Sequence, residues 1–213
     1  MWVFIISKKL PLFERKRMGK RIAILASGVG SNAERIIKCF QENNRAEVVL
    51  LGSNKADALV LNKAEDLGVQ TFVFNKDALT RSGGVLYELL AKKVDLIVLA
   101  GVLLKVPEII IQAFPNRIIN VHPALLPKFG GKGMYGKNVH NAVLKAGEKE
   151  SGITIHYVNK EYDEGAIIFQ VKCVVDKNDD VVALAKKIQI LEHQYFSKTI
   201  ASVGAITIPA ALS

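Results

Sequence analysis

The chain has 213 residues, half of them hydrophobic, and a net charge of +9. No apolar run approaches the roughly 18 residues that a membrane span requires, so we expect a soluble globular protein with a substantial core. Because the basic residues beyond residue 18 are dispersed and form no recognised nucleic-acid-binding module, the excess charge favours small anions over nucleic acid as partners.

The first 18 residues differ in character from the rest of the chain. The apolar stretch at 1–6 is shorter than a signal-peptide core, and neither a preceding basic region nor a following small-residue cleavage site accompanies it. Met18 stands almost directly before the first convincing strand. We therefore expect residues 1–18 to be a non-native or disordered extension and residues 19–213 to form a single domain. The alternative is a genuine ordered arm.

Strand and helix patterns alternate through the first half of the domain. Short apolar runs predict strands and longer amphipathic runs predict helices. The predicted strands are 22–26, 47–51, 71–74, 94–100 and 118–121, and the predicted helices are 32–40, 56–67, 86–93 and 108–113. This alternation is typical of a parallel sheet with helices on both faces.

The second half has a different pattern. A helix at 138–146 is followed by two alternating strands at 153–158 and 166–175, joined by an acidic turn. Asp179 and Asp180 are expected to cap a long helix that runs to about residue 198. The predicted fold class is α/β: an open, mostly parallel twisted sheet with helices on both faces, extended by antiparallel strands in the C-terminal half.

A glycine-rich turn follows the first predicted strand. Gly28 and Gly30 let the main chain approach an anion, and the free N–H groups of the helix that begins near Asn32 point toward it. Gly28, Gly30 and Ala33 also fit a dinucleotide-binding pattern, but the second strand ends in 51–54, Leu-Gly-Ser-Asn, without the acidic residue that grips a ribose. We therefore favour a monophosphate site over a nicotinamide site.

Asn120 and His122 end the strand at 118–121, just before a turn with two prolines. Residues two apart on a strand point to the same face, so the amide and the imidazole converge at the carboxyl end of the sheet, where open α/β sheets bind ligands. Such a pair can grip a carbonyl oxygen and hand it a proton. Taken singly, Asn120 is more typical of a turn residue.

The other histidines and the two cysteines carry weaker signals. His140 and His193 are interpreted as surface or packing residues, and His156 either supports the site or is structural. Cys39 and Cys173 are far apart and lack metal-ligand spacing, which argues against a disulfide or a zinc site. Two thiols in a reducing compartment are expected, which indicates a cytoplasmic protein without a metal.

Six segments of the chain form a recognisable combination: 27–32, 53–58, 99–101, 120–128, 162–165 and 192–193. Together they resemble the phosphoribosylglycinamide formyltransferase family, the folate-dependent enzymes of purine synthesis, and the resemblance runs from about residue 21 to about residue 197. The block at 120–123 and the later Asp-x-Gly are shared with other enzymes that handle 10-formyltetrahydrofolate. Ala124 stands where the family often has Ser, and residues 132–136 replace a His-containing stretch, so this loop stays unassigned.

The resemblance implies a function and a set of site residues. The function is transfer of a formyl group from the co-substrate 10-formyltetrahydrofolate to the glycyl amine of 5'-phosphoribosylglycinamide, without a metal. The implied catalytic residues are Asn120, His122 and Asp163, and the implied substrate-binding residues are Gly30, Ser31 and Asn32 for the phosphate and Glu192 for the ribose. The implied folate-binding residues, besides Asn120, are Arg81, Leu103, Leu104, Lys105, Val106, Asn159, Lys160, Glu161, Tyr162 and Asp163.

The chemistry of formyl transfer explains these residue types. An α-amino group with a pKa of about 8 is already about one tenth free base near neutrality, so the reaction needs no powerful general base. Asn120 would donate a hydrogen bond to the formyl oxygen, and His122 would donate a second one and then move a proton to the departing folate nitrogen. We expect Asp163 to raise the pKa of His122 and keep its imidazole charged.

Other functions fit the sequence less well. A 10-formyltetrahydrofolate hydrolase would share the catalytic residues but is expected to carry a regulatory domain, and a methionyl-tRNA formyltransferase is expected to carry an RNA-binding domain. A nicotinamide oxidoreductase lacks its ribose carboxylate. A non-enzymatic binding module leaves the Asn-x-His pair and Asp163 unexplained. We expect small-molecule substrates, no nucleic-acid or membrane partner, and a monomer or weak homodimer. The resemblance also suggests a cis bond between Leu126 and Pro127.

Overall fold

The computed structural model describes residues 19–43, 46–81, 83–102 and 104–205. The predicted extension at 1–18 and the predicted folate-binding residue Leu103 therefore lie outside the described residues. Among the described residues, no helix is both long and apolar enough to cross a bilayer.

Seven strands of the described chain form one sheet with the order β3-β2-β1-β4-β5-β6-β7. The strands are β1 (Lys20–Ala26), β2 (Ala46–Ser53), β3 (Thr71–Val73), β4 (Leu96–Leu99), β5 (Ile118–His122), β6 (Glu150–Tyr157) and β7 (Ile167–Val174). The pairs among β1 to β5 are parallel, whereas β6 runs antiparallel to both β5 and β7. The predicted fold class is confirmed.

The described helices fill the connections between the strands. They are α1 (Ser31–Asn43), α2 (Leu59–Asp66), α3 (Lys76–Thr80), α4 (Val85–Ala91), α5 (Glu108–Ala113), α6 (Lys137–Lys145) and α7 (Val181–Ala205). Asp180 accepts a hydrogen bond from the N–H of Ala183 at the start of α7, as expected for a cap. The neighbouring Asp179 instead accepts from Lys187 and from the N–H of Asp176.

The sheet is buried on both faces, because successive strand residues enter two separate cores. Val98 and Ile119 belong to the core beneath α1, α2 and α7, whereas Ile97 and Ile118 belong to the core beneath α4 and α5. Burial on both faces explains why residues 22–26 of β1 and all of β4 are continuous apolar runs without alternation. By contrast, the residues of β7, at the edge of the sheet, are all exposed or half-buried.

Candidate active site

Asn120 and His122 lie on β5 opposite β6, where the register pairs Asn120 with His156. The amide nitrogen of Asn120 lies 3.2 Å from Nε2 of His156. His122 is only 3% exposed, and its Nε2 lies 2.8 Å from the carbonyl oxygen of Phe129. The predicted shared face of Asn120 and His122 thus meets a second imidazole from the antiparallel neighbour.

Asp163 approaches both imidazoles from the loop between β6 and β7. Its Oδ2 lies 3.6 Å from Nδ1 of His122, and its Oδ1 lies 3.7 Å from Nε2 of His156. The N–H of Gly131 donates a hydrogen bond of 2.9 Å to Oδ2. Gly165 secures this loop against β6, because a Cβ there would collide with the carbonyl oxygen of Tyr157. The structure therefore brings the three predicted catalytic residues together.

Hydrogen-bond partners fix the tautomers of the two imidazoles. Nδ1 of His156 lies 2.8 Å from the carbonyl oxygen of its neighbour Tyr157, which can only accept, so Nδ1 carries the hydrogen. In neutral His156, Nε2 then accepts one hydrogen from the amide of Asn120. The second amide hydrogen of Asn120 has no acceptor among the described residues and can therefore meet a ligand. By the same logic, Nε2 of His122 donates to Phe129, and its Nδ1 faces Asp163.

Burial decides the charge state of His122. Loss of solvent lowers the pKa of this imidazole below its usual value, while the Asp163 carboxylate and the Phe129 carbonyl oppose the shift only in part. Burial likewise lowers the pKa of His156. The prediction that Asp163 raises the pKa of His122 above its ordinary range is wrong, because desolvation of a nearly inaccessible ring outweighs a carboxylate 3.6 Å away.

A groove of about 400 Å³ is formed by the loop before α5 and the loop after β6. Four of the predicted folate-binding residues line it, namely Lys105, Val106, Lys160 and Glu161, together with Pro107, Glu108 and Ile111, which sequence reasoning missed. The two loops also meet directly, since the ammonium of Lys105 lies 4.9 Å from the centre of the Tyr162 ring.

Besides Tyr162 and the two catalytic residues Asn120 and Asp163, three predicted folate-binding residues of the described chain lie outside the lining of this groove. The side chain of Asn159 shapes the turn, because its Oδ1 accepts from the N–H of Glu161. Leu104 packs against the core beneath α4 and α5. Arg81 is exposed at the C-terminal end of α3.

The glycine loop at residues 27–32 forms a second cluster of polar groups. Gly30 has φ of +76°, and a Cβ there would collide with Val60, so the close approach of α1 and α2 requires glycine. Helix α1 begins at Ser31, and the amide of Asn32 donates a 2.7 Å hydrogen bond to Glu192 on α7. Burial raises the pKa of Glu192, and the bond from Asn32 opposes that shift. The predicted substrate-binding residues thus lie together at the start of α1.

Some contributing groups were beyond sequence reasoning. The main-chain groups of Phe129 and Gly131 hold His122 and Asp163, and both belong to the stretch beside the unassigned loop. His156 was weighed as a supporting residue, and strand alternation was the signal for it. His140 is buried, as a packing residue would be, although its Nδ1 has no hydrogen-bond partner within the described part of the chain. The bond between Leu126 and Pro127 is cis.

The chain matches known proteins along most of its length. The formyl transferase family model matches residues 20–200. A phosphoribosylglycinamide formyltransferase of Bacillus subtilis is 35% identical over 85% of this chain and 93% of its own length. The chloroplastic phosphoribosylglycinamide formyltransferase of Arabidopsis thaliana is 44% identical over 88% of this chain. This chain spans 65% of that plant protein and 60% of the one from Vigna unguiculata.

Solved structures give the same result. Glycinamide ribonucleotide transformylase 1 from Symbiobacterium toebii has a TM-score of 0.80 at 31% identity, over 91% of this chain and 93% of its own. Phosphoribosylglycinamide formyltransferase from Bacillus halodurans has a TM-score of 0.79 at 32% identity, over 87% and 96% of the two chains. On the strength of its sequence and its fold, this chain belongs to the formyl transferase family.

Proposed function

We propose that this protein transfers the formyl group of 10-formyltetrahydrofolate to the glycyl amine of 5'-phosphoribosylglycinamide, a step of purine biosynthesis. One observation carries the proposal: the amide of Asn120, the imidazole of His122 and the carboxylate of Asp163 converge at the end of β5, and the loop that carries Asp163 also lines the groove. The relatives that match most of this chain are named as phosphoribosylglycinamide formyltransferases, which supports the same reaction.

The free amide hydrogen of Asn120 has a clear task in this reaction. Attack of the amine on the formyl carbon places negative charge on the formyl oxygen, and a donor held in place beforehand stabilises that charge. The bond to His156 fixes the direction of the amide, so the donor needs no reorganisation when the charge develops. Loss of one such donor typically lowers turnover by about 10²- to 10³-fold.

His122 moves the proton. Because its pKa is lowered, the imidazole is mostly neutral near pH 7 and can accept the proton that the attacking amine must lose. The imidazolium then gives a proton to the folate nitrogen as the carbon–nitrogen bond breaks. Asp163, beside Nδ1, stabilises the imidazolium between these two transfers. The overall reaction moves one formyl group and leaves the imidazole unchanged.

The two clusters suggest where each substrate binds. The N–H groups at the start of α1, at Gly30, Ser31 and Asn32, suit a phosphate, and the half-buried Glu192 suits ribose hydroxyls. The groove between the loops 104–106 and 159–163 suits the folate, and its walls supply apolar and charged contacts. Leu103 and Arg81 are proposed to extend this folate site.

We also propose that the protein acts on these small molecules as a monomer or weak homodimer in the cytoplasm. Both cysteines, Cys39 and Cys173, are free thiols, which supports a reducing compartment. The two plant relatives are named chloroplastic, so the location is tested directly by cell fractionation. Sedimentation of the purified protein over a range of concentrations tests the monomer–dimer equilibrium.

The decisive experiment measures loss of the formyl group from 10-formyltetrahydrofolate with and without phosphoribosylglycinamide. We expect deformylation only when the second substrate is present. Release of formate without it would instead identify a hydrolase. Binding of NAD, measured by calorimetry, would favour the nicotinamide alternative and contradict the proposal.

A further inference from the structure

A network of hydrogen bonds joins the turn after His122 to the two antiparallel strands. The N–H of Leu126 donates to the hydroxyl of Thr154 at 3.0 Å, and that hydroxyl donates to the carbonyl oxygen of Ala124 at 2.7 Å. The amide nitrogen of Gln170 donates to the carbonyl oxygen of Leu126 at 2.9 Å and to Thr154 at 2.8 Å. Both main-chain groups of Leu126 are therefore held from β6 and β7.

The hydrogens of this network match its acceptors one for one. The Thr154 hydroxyl uses its single hydrogen and accepts two others, and it is fully buried. Both hydrogens of the Gln170 amide nitrogen are used. If the amide were reversed, its oxygen would face the Leu126 carbonyl, so the amide nitrogen is the group that occupies this position.

The network lies in line with His122. His122, Thr154 and Gln170 occupy one row across three neighbouring strands, because the register pairs His122 with Thr154 and Thr154 with Gln170. Beyond the turn, the carbonyl of Phe129 accepts the hydrogen bond from His122. Phe129 is three residues after Leu126, so the position of its carbonyl depends on the conformation of the turn, which the hydrogen bonds to Leu126 fix.

We propose that Gln170 is a positioning residue for His122: its amide nitrogen fixes the turn at Leu126, and the turn presents the Phe129 carbonyl that orients the imidazole. Gln170 touches neither substrate in this role. The inference rests on the proposed formyl transfer for its kinetic readout, whereas the orientation of His122 is measurable without any activity.

Gln170 can be changed with little risk to the fold. It is exposed on the edge strand β7, so truncating its side chain opens no cavity in either core. Lys172 is two residues along the same face of β7, is also exposed and forms a surface ion pair with Glu150. Because such surface pairs contribute about 0–1 kcal/mol, Lys172→Met is a matched control for Gln170→Met.

The kinetic test compares these two variants with the unaltered protein. Loss of one or two hydrogen bonds by Gln170→Met should lower kcat by roughly 5- to 30-fold, with KM for both substrates unchanged within about twofold. Lys172→Met should keep the kcat of the unaltered protein. Thr154→Ser, which retains the hydroxyl, should also keep it, whereas Thr154→Val should resemble Gln170→Met. A Gln170→Met protein with unaltered kcat would overturn the proposal.

The second test follows the titration of the His122 imidazole by NMR in the full chain. The hydrogen bond to the Phe129 carbonyl favours the protonated ring, so Gln170→Met should lower the pKa of His122, and Lys172→Met should not. If Gln170→Met only lowers Tm and leaves this titration unaltered, Gln170 is structural and the proposal is wrong. If the unaltered protein shows no formyl transfer while the titration shifts as expected, the proposed function fails and the positioning role stands.

Discussion

The glycine loop at residues 27–32 and the antiparallel end of the sheet, β5 to β7, present two kinds of polar group. At the glycine loop, the N–H groups of α1 cannot titrate, and Glu192 is held by Asn32. At the antiparallel end, two buried imidazoles each lie within 4 Å of the Asp163 carboxylate, and the charge of each group affects the others. We infer that the first region binds substrate and the second moves charge and protons. Substitutions in the first region should therefore change KM, and substitutions in the second should change kcat.

The largest expected effect is that of His122→Ala. Because the imidazole both accepts and donates the proton, kcat should fall by about 10²- to 10⁴-fold, with little change in KM. Steady-state kinetics with each substrate varied in turn checks this result. A melting curve serves as the control for folding, and unaltered turnover would remove His122 from the mechanism.

Asp163→Asn should lower kcat by about 10- to 100-fold, since an adjacent opposite charge stabilises an ionised group by roughly one to two pKa units. Removing the carboxylate lowers the already low pKa of His122 further. Above neutrality His122 is neutral in both proteins, so the defect should be constant there. The defect in kcat should shrink as the pH falls through the pKa of His122, which lies below the usual value of 6.5. A pH profile of turnover tests this, and a defect that is constant down to acidic pH would show that Asp163 does not tune His122.

Glu192→Gln should act on KM alone. Loss of a charged hydrogen-bond acceptor for the ribose should raise KM for phosphoribosylglycinamide by about tenfold, with kcat and folate KM almost unchanged. Burial raises the pKa of Glu192, so in the unaltered protein this KM should rise as the pH falls through that value, whereas the variant should show no such rise. An equal loss in kcat would abolish the proposed division between the two regions.

Glu34→Gln is the matched control on α1, the helix that follows the glycine loop, and should have the smallest effect. Its ion pairs with Lys38 and Lys63 lower the pKa of Glu34 from 4.5 to about 2. The stabilisation is complete above pH 4.5 and is lost as the pH falls through about 2. The variant should therefore unfold with up to about 1 kcal/mol less free energy at pH 7, and the difference should diminish at pH 3. Urea unfolding at both pH values measures it, and kinetics should be unaltered.

Long periodic segments made most of the fold predictable. Residues 22–26 of β1 and the whole of β4 are continuous apolar runs, and α5 begins and ends at the predicted residues. Helix α3 was missed, because five residues are too few to show a helical period. Only its cap, Asn75, which accepts from the N–H of Ala78, marks its start. Helix α7 runs beyond its predicted end, since no glycine or proline stops it before residue 204.

The candidate site was predictable to a lesser degree. Strand alternation alone places Asn120 and His122 on one face. Asp163 could be assigned only through resemblance, because it lies in a loop and has a φ of +57° itself. The sign of the pKa shift of His122 was wrong for a related reason. Burial of the ring depends on how distant segments pack around it, and a local sequence pattern carries no information on that packing.

The most direct test follows the formyl carbon itself. The protein is supplied with 10-formyltetrahydrofolate carrying ¹³C in the formyl group, and the label is followed by NMR with and without phosphoribosylglycinamide. We predict that the label moves to the formamide carbon of the glycyl product, only when phosphoribosylglycinamide is present, and that His122→Ala slows this transfer. Label released as formate at the same rate with and without that substrate would contradict formyl transfer.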